Sequence, residues 1–166
     1  YIIQIQIEEL GNIEDAEKLA ETYIMENHNV NGLFTINDTI GRGLFYNGYR
    51  DKSLPFIQSA VRFNPTKNFY LKVDSILALS RLFEDDKLKS LEQAKSAVEY
   101  VESNPNYTDL SKAKVYGELA IKFKEIADYE NALNTIEKGF DLLYNYLSDT
   151  NEYKASNGVG GACLAQ

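Results

Sequence analysis

Two stretches of the chain, GYRDKSLPFIQSAVRFNP at 48–65 and IADYENALNTIEKGF at 126–140, follow one template. In the first, a turn glycine is followed by Ser53, Ile57, Ala60 and a closing Pro65. In the second, Tyr129 precedes Ala132, Ile136 and Gly139. Small, bulky and small residues at steps of four and three lie on one face of a helix. The small positions let a neighbouring helix approach closely, and the bulky one fills the space beside them. A chain that repeats such a unit stacks hairpin on hairpin, because each hairpin leaves a face that only its neighbour can cover.

The residues upstream of each stretch supply the partner helix. Ile40-Gly41 and Leu119-Ala120 are large-small pairs, followed by Leu44 and Phe123, and Tyr116 stands three residues before the second pair. Asn37 takes the corresponding place in the first, where an aromatic is usual. Between them, Ile76, Leu79, Ser80 and Phe83 form another first helix, with Ala94 and Val98 on its partner. Gly11 and Ala16 fit the end of one helix and the start of the next. The small positions 16, 53, 94 and 132 recur every 37 to 41 residues, and EDDKLKS at 84–90 reads as an insertion. Helices are expected near 2–10, 13–27, 34–47, 51–63, 68–84, 90–103, 109–126 and 129–147. Asn64-Pro65 and Asn104-Pro105 act as stops. Ser90 with Gln93 suggests a capping box, and Asp128 is placed to cap the last helix. Two-residue alternation occurs only in the opening IIQIQI.

The pattern of Tyr116, Leu119-Ala120, Phe123, Ala132, Ile136 and Gly139, with its partner copies, resembles the tetratricopeptide-like (TPR) repeats, whose commonest period is about 34 residues. The resemblance covers nearly the whole chain. It implies an all-α, right-handed superhelical solenoid of antiparallel helix hairpins, with repeats near 1–30, 31–66, 67–106 and 107–148. Residues 151–166 then form either part of the first helix of a fifth repeat, with Val159-Gly160 as its large-small pair and Cys163 in the aromatic slot, or a flexible tail. The chain starts without Met, and both ends are expected to be cut from a longer protein.

The resemblance also implies a concave groove lined by the first helix of each hairpin. Its inward stripe comprises Thr35, Asp38, Arg42 and Phe45 in the second repeat, then Asp74, Leu77, Arg81 and Glu84 in the third. In the fourth it comprises Lys114, Gly117, Ile121 and Lys124. Arg42 and Arg81 share one slot in adjacent repeats. Two guanidinium groups on one wall suit carboxylates or carbonyls of an extended peptide. The competing reading, which the spacing favours, pairs Arg42 with Asp38 and Arg81 with Asp85 within their own helices. Most of the twelve Tyr and eight Phe fall in core slots, while Phe45, Tyr46 and Tyr49 cluster near a turn.

A net charge of −8 in 166 residues argues against gripping a phosphate backbone. There is no long apolar run to insert in a membrane. A single Cys163 excludes an internal disulfide framework, and the single His28, in the polar run ENHNVNG, reads as a loop residue. GVGG lacks the Lys-Ser/Thr of a phosphate loop, and the acidic run 84–86 lacks the spacing of a calcium loop. No catalytic residues, cofactor or metal are expected. The expectation is a non-catalytic scaffold for a protein or short peptide in the cytoplasm, with a periplasmic or extracytoplasmic sensor region as the other placement. Regulators that bind short signalling peptides, and bacterial sensors with repeat-built input domains, are the nearer resemblance. The alternatives are the helical scaffold of an enzyme and a structural spacer.

Overall fold

A computed structural model describes residues 13–26, 29–63, 65 and 69–149. Among these residues every regular element is an α-helix: α1 (Ile13–Glu26), α2 (Val30–Tyr46), α3 (Arg50–Arg62), α4 (Phe69–Leu82), α5 (Lys87–Ser103), α6 (Asp109–Glu125) and α7 (Tyr129–Asp149). The opening IIQIQI, Gly11, His28, Cys163 and the expected partial repeat 151–166 lie outside them, as does the side chain of Ala16. The chain divides into two compact units, at 1–97 and 98–166, with the division falling inside α5. Consecutive helices pack on one another within each unit, as in a helical array: α1 on α2, α2 on α3, α3 on α4, and α6 on α7.

In the first unit the α2–α3 hairpin is built on the small positions. Ile40, Leu44, Ile57 and Ala60 are fully buried. A Cβ on Gly41 would lie 2.6 Å from Ile57 Cδ1 and 2.9 Å from its backbone nitrogen, so the crossing is set by the absence of a side chain. Ser53 Oγ donates to the Gly41 carbonyl at 2.7 Å, tying the small position of one helix to that of the other. The same device recurs one hairpin on. Ser80 occupies the slot of Gly41 and Ser90 is fully buried beside it, each hydroxyl donating to the other's carbonyl at 2.7 Å.

The turns repeat as well. After α2, Gly48 takes the left-handed conformation (φ 84°), Gly48 N–H donates to Phe45 and Tyr49 N–H donates to Leu44. This satisfies two of the last carbonyls of the helix in a Schellman motif. After α6, Ala127 takes the same conformation (φ 62°), with Ala127 N–H on Lys124 and Asp128 N–H on Phe123. The end of α3 is closed differently. The Val61 carbonyl belongs to the last turn of the helix, whose carbonyls lack intrahelical donors. Instead the buried ammonium of Lys72, on α4, donates to the carbonyls of Val61 and Phe63.

Two helix starts differ from the sequence expectation. α2 begins at Val30 rather than near 34, because Asn29 caps it by accepting from Asn31 N–H at 3.0 Å. α5 begins at Lys87 rather than 90, because Asp86 accepts from Lys89 N–H at 3.2 Å. Ser90 is therefore inside the helix rather than its cap. Asp128 caps α7 as expected, accepting from Asn131 N–H at 3.2 Å.

Candidate functional site

The predicted stripe falls into two clusters in the first unit. In one, Asp38 is fully buried and accepts a bidentate pair from Arg42, Nε and Nη2 both at 2.7 Å. Ser75 Oγ, reaching from α4, donates to the same carboxylate at 2.6 Å, and Asp74 stands 3.7 Å from Arg42 Nη1. Burial pulls the Arg42 guanidinium down, but the hydrogen bond and charge of Asp38, helped by Asp74, outweigh it and the net shift is upward. A buried carboxylate needs this much pairing, because removing one partner would leave an uncompensated charge. Arg42 is thus engaged within the fold.

In the second cluster Arg50, which the sequence stripe did not include, is the organiser. It donates to Glu84 at 2.8 Å and to the Arg81 carbonyl at 2.6 Å, and its guanidinium lies 5.7 Å from the Phe45 ring centre. Phe45 meets Tyr46 edge to face at 5.3 Å. Leu77 is half-buried on α4 and Thr35, exposed on α2, donates to the Asn31 carbonyl. Nothing in the sequence marked Arg50, since its partner Glu84 is 34 residues away.

The second unit offers a different surface. Between α6 and α7 runs an apolar channel made of two adjoining hollows of about 440 and 280 Å³, which share Gly117 and Ile136. Ile121, Lys124, Tyr129 and Leu133 surround the first; Lys114, Gly139, Phe140 and Leu143 surround the second. The four stripe positions expected for the fourth repeat, Lys114, Gly117, Ile121 and Lys124, are therefore all brought to this channel. Ile121, Leu133, Ile136 and Phe140 are 40 to 61% exposed, an unusual state for large apolar side chains in register on adjacent helices.

The cause lies in α7, whose apolar residues occupy two faces. Thr135 and Gly139 pack inward, and a Cβ on Gly139 would touch the Ala113 carbonyl and Tyr116 Cβ at 3.4 Å. Tyr129, Leu133, Ile136, Phe140 and Tyr144, at steps of three and four, form a second stripe that faces outward. Sequence reasoning counted such residues as core. The signal was the width of the apolar arc, broader than one neighbouring helix covers.

Among the described residues no helix is long and apolar enough to cross a membrane, and no three His, Cys, Asp or Glu side chains are grouped to hold a metal ion. No protein-family model matches the chain, and no curated protein proves similar to it. Among the described residues the architecture is an all-α helical array, with an open apolar channel between α6 and α7.

Proposed function

We propose that the chain is a non-catalytic, TPR-like helical-repeat scaffold that binds an apolar helical segment of a protein or peptide in the α6–α7 channel. The observation that carries this reading is the outward stripe of α7 together with Ile121: large apolar side chains, 40 to 67% exposed, around an open channel. A helix presenting apolar residues at three- and four-residue steps would lay them in this channel, the mode by which grooves take amphipathic helices. Lys114 and Lys124 on the α6 rim favour a segment with acidic residues beside its apolar stripe. The more particular reading, as the ligand-sensing part of a bacterial regulator or signalling protein, rests on the sequence resemblance alone.

The test is calorimetric titration of the 166-residue chain with helix-forming peptides carrying an apolar stripe and acidic flanks. Saturable binding is expected, abolished by Ile121→Glu, a change at a half-exposed position that leaves the core intact. No binding to a folded sample would refute the reading and favour a spacer. Binding that Ile121→Glu leaves unchanged would move the site to the first unit, where Phe45, Tyr46 and Leu77 stand.

A further inference from the structure

The α2–α3 and α6–α7 hairpins follow one template without a gap, so the surroundings of the first bear on what covers the second. Gly41, Gly48, Ser53, Ile57 and Ala60 each have a counterpart 79 residues on, at Ala120, Ala127, Ala132, Ile136 and Gly139. The backbone agrees. Gly48 and Ala127 are both left-handed, and the N–H groups of Tyr49 and Asp128 donate to Leu44 and Phe123.

In the first unit the outer face of this hairpin carries α4. Ile57 is fully buried in a cluster with Ala78 and Leu79, and Leu54, Val61, Leu82 and Phe83 pack against it. The counterparts of Leu54, Ile57 and Val61 are Leu133, Ile136 and Phe140, which are 58, 40 and 61% exposed. The polar contacts of α4 fall on the same face. Ser75 donates to Asp38, Asp74 stands beside Arg42, and Glu84 accepts from Arg50. The counterparts of Asp38, Arg42 and Arg50 are Gly117, Ile121 and Tyr129, and all three line the first hollow of the channel. The channel thus corresponds, position for position, to the seat of α4, with its charged positions made apolar.

Resting on the reading of the channel as a helix-binding site, we infer that its occupant is a helix of a partner protein seated as α4 is: antiparallel to α7, with large apolar residues where α4 carries Asp74 and Ser75. The direction follows from α4 itself. Lys72 reaches the Val61 carbonyl near the end of α3, and Glu84 reaches Arg50 at its start. The N-terminal end of the partner helix therefore lies by Phe140 and its C-terminal end by Tyr129. The chemistry follows from the exchanged positions. A Cβ on Gly117 would meet nothing within 4 Å, so the space that Asp38 and Ser75 fill in the first unit is open to a large side chain. Ile121 in place of Arg42 removes the charge that faces Asp74 and offers apolar surface instead. Apolar residues at these two places, beside those matching Ala78, Leu79 and Leu82, form one continuous helix face at four-residue steps.

The chain's own residues are poorer occupants. α3 ends at Arg62 with Pro65 just beyond, and the chain turns back onto it as α4. The counterparts of Arg62 and Pro65 in α7 are Asp141 and Tyr144, and the helix runs on to Asp149, about 12 Å farther. Tyr129 lies about 30 Å from that end, whereas residues 151–166 would span about 24 Å as a helix. They are too few to lay a helix along the first hollow, and Gly158, Gly160 and Gly161 lower their helix propensity. The α4 of a second copy is seated in its own unit and carries the acid and hydroxyl that the channel does not match.

The test is calorimetric titration of the 166-residue chain with two helix-forming peptides. Both carry the residues of α4 at 78, 79 and 82 on a soluble background of Ala, Glu and Lys. One has leucine at the places of 74 and 75, and the other keeps aspartate and serine. The leucine peptide should bind saturably and at least about 10-fold tighter, from the added apolar burial. In the double variant Gly117→Asp/Ile121→Arg, which copies the Asp38–Arg42 pair, the preference should reverse, with circular dichroism confirming that the variant folds. A spin label at the N-terminal end of the leucine peptide should broaden the methyl signals of Leu143, and one at its C-terminal end those of Leu133. Both wild-type readouts decide the matter even if the double variant fails to fold. Equal affinity for the two peptides, a preference that a folded double variant leaves unchanged, or broadening in the opposite order overturns the inference. If neither peptide binds but the acidic-flanked peptides do, the inference falls and the proposed function stands; if none binds, both fall. Binding that appears only after deletion of 151–166 gives the channel to the tail, and binding that requires a dimer to split gives it to a second copy; either overturns the inference.

Discussion

Replacing Gly41 by alanine sets two physical effects against each other at one atom. Gly41 lies inside α2, where glycine is less favourable than alanine by roughly 0.5–1 kcal/mol, so an unobstructed alanine would stabilise the protein. The new Cβ would instead lie 2.9 Å from the Ile57 backbone nitrogen, and ordinary contact begins at 3.4 Å, so α2 and α3 must part by about 0.5 Å. The Ile57 side chain can rotate away, but its backbone nitrogen cannot. A gap of that size forfeits about a quarter of the dispersion energy across the contact, and overpacking of this kind costs about 1–3 kcal/mol. The buried Ser53 hydroxyl bond to the Gly41 carbonyl is stretched with it, a further ~1 kcal/mol. The net expectation is destabilisation by about 1–3 kcal/mol, or a urea midpoint lower by about 1 M at a typical denaturant slope. Gly117 is the control, for it also lies mid-helix but a Cβ there meets nothing within 4 Å. Gly117→Ala should raise the midpoint, reflecting about 0.5–1 kcal/mol of helix propensity. If Gly41→Ala also raises it, the close crossing of α2 and α3 is not what holds the hairpin, and the packing argument for the repeat fails.

Other substitutions follow from the same structure. Ala127 holds a left-handed conformation that costs a non-glycine residue about 1–2 kcal/mol, so Ala127→Gly should stabilise the second unit by about 1 kcal/mol in urea unfolding. Pro55 lies inside α3 with no N–H to offer the Asp51 carbonyl, so Pro55→Ala should raise stability by about 2 kcal/mol by the same measure. Burial lowers the Lys72 ammonium to about 8, below the ~10.4 of an unfolded lysine. Between those values the unfolded chain binds more protons than the folded one, so stability should rise with pH across that window. A pH series of urea midpoints should show the rise in the wild type and a smaller one in Lys72→Met.

Much of the helical order was legible because it rests on local chemistry. Gly48, Pro65 and Asn104-Pro105 stand just beyond helix ends, where backbone constraints act locally, and Asp128 caps α7 from its own turn. The positions of the small residues in the α2–α3 hairpin were legible for a related reason. Gly41, Ser53 and Ala60 sit at helical steps, and only a close crossing explains them there. The misjudged start of α5 came from reading Ser90 as a cap, when its hydroxyl is held across the hairpin by Ser80. A serine near a helix start looks the same whether it serves its own turn or a neighbouring helix, and only the position of Ser80 decides between them.

The site divided along the same line. The pairing of Arg42 with Asp38 could be read from a four-residue step, and the structure forms it as a bidentate pair at 2.7 Å. The buried end of Asp38 had to be completed by Ser75 from another helix, which no local pattern announces. Arg50 was invisible for the same reason, because its meaning comes from Phe45, Glu84 and the Arg81 carbonyl together. The α6–α7 channel is the instructive case. Its parts were visible as a stripe of apolar residues in α7 and as Lys114, Gly117, Ile121 and Lys124 in α6. Hydrophobicity alone does not say whether a side chain is covered by its own fold or awaits another surface. Helix geometry does: α6 covers only one flank of α7, the flank of Thr135 and Gly139. The stripe of Tyr129, Leu133, Ile136 and Phe140 is wider than that contact needs, and the fold leaves it 40 to 67% exposed, which is the surface on which the proposed binding rests.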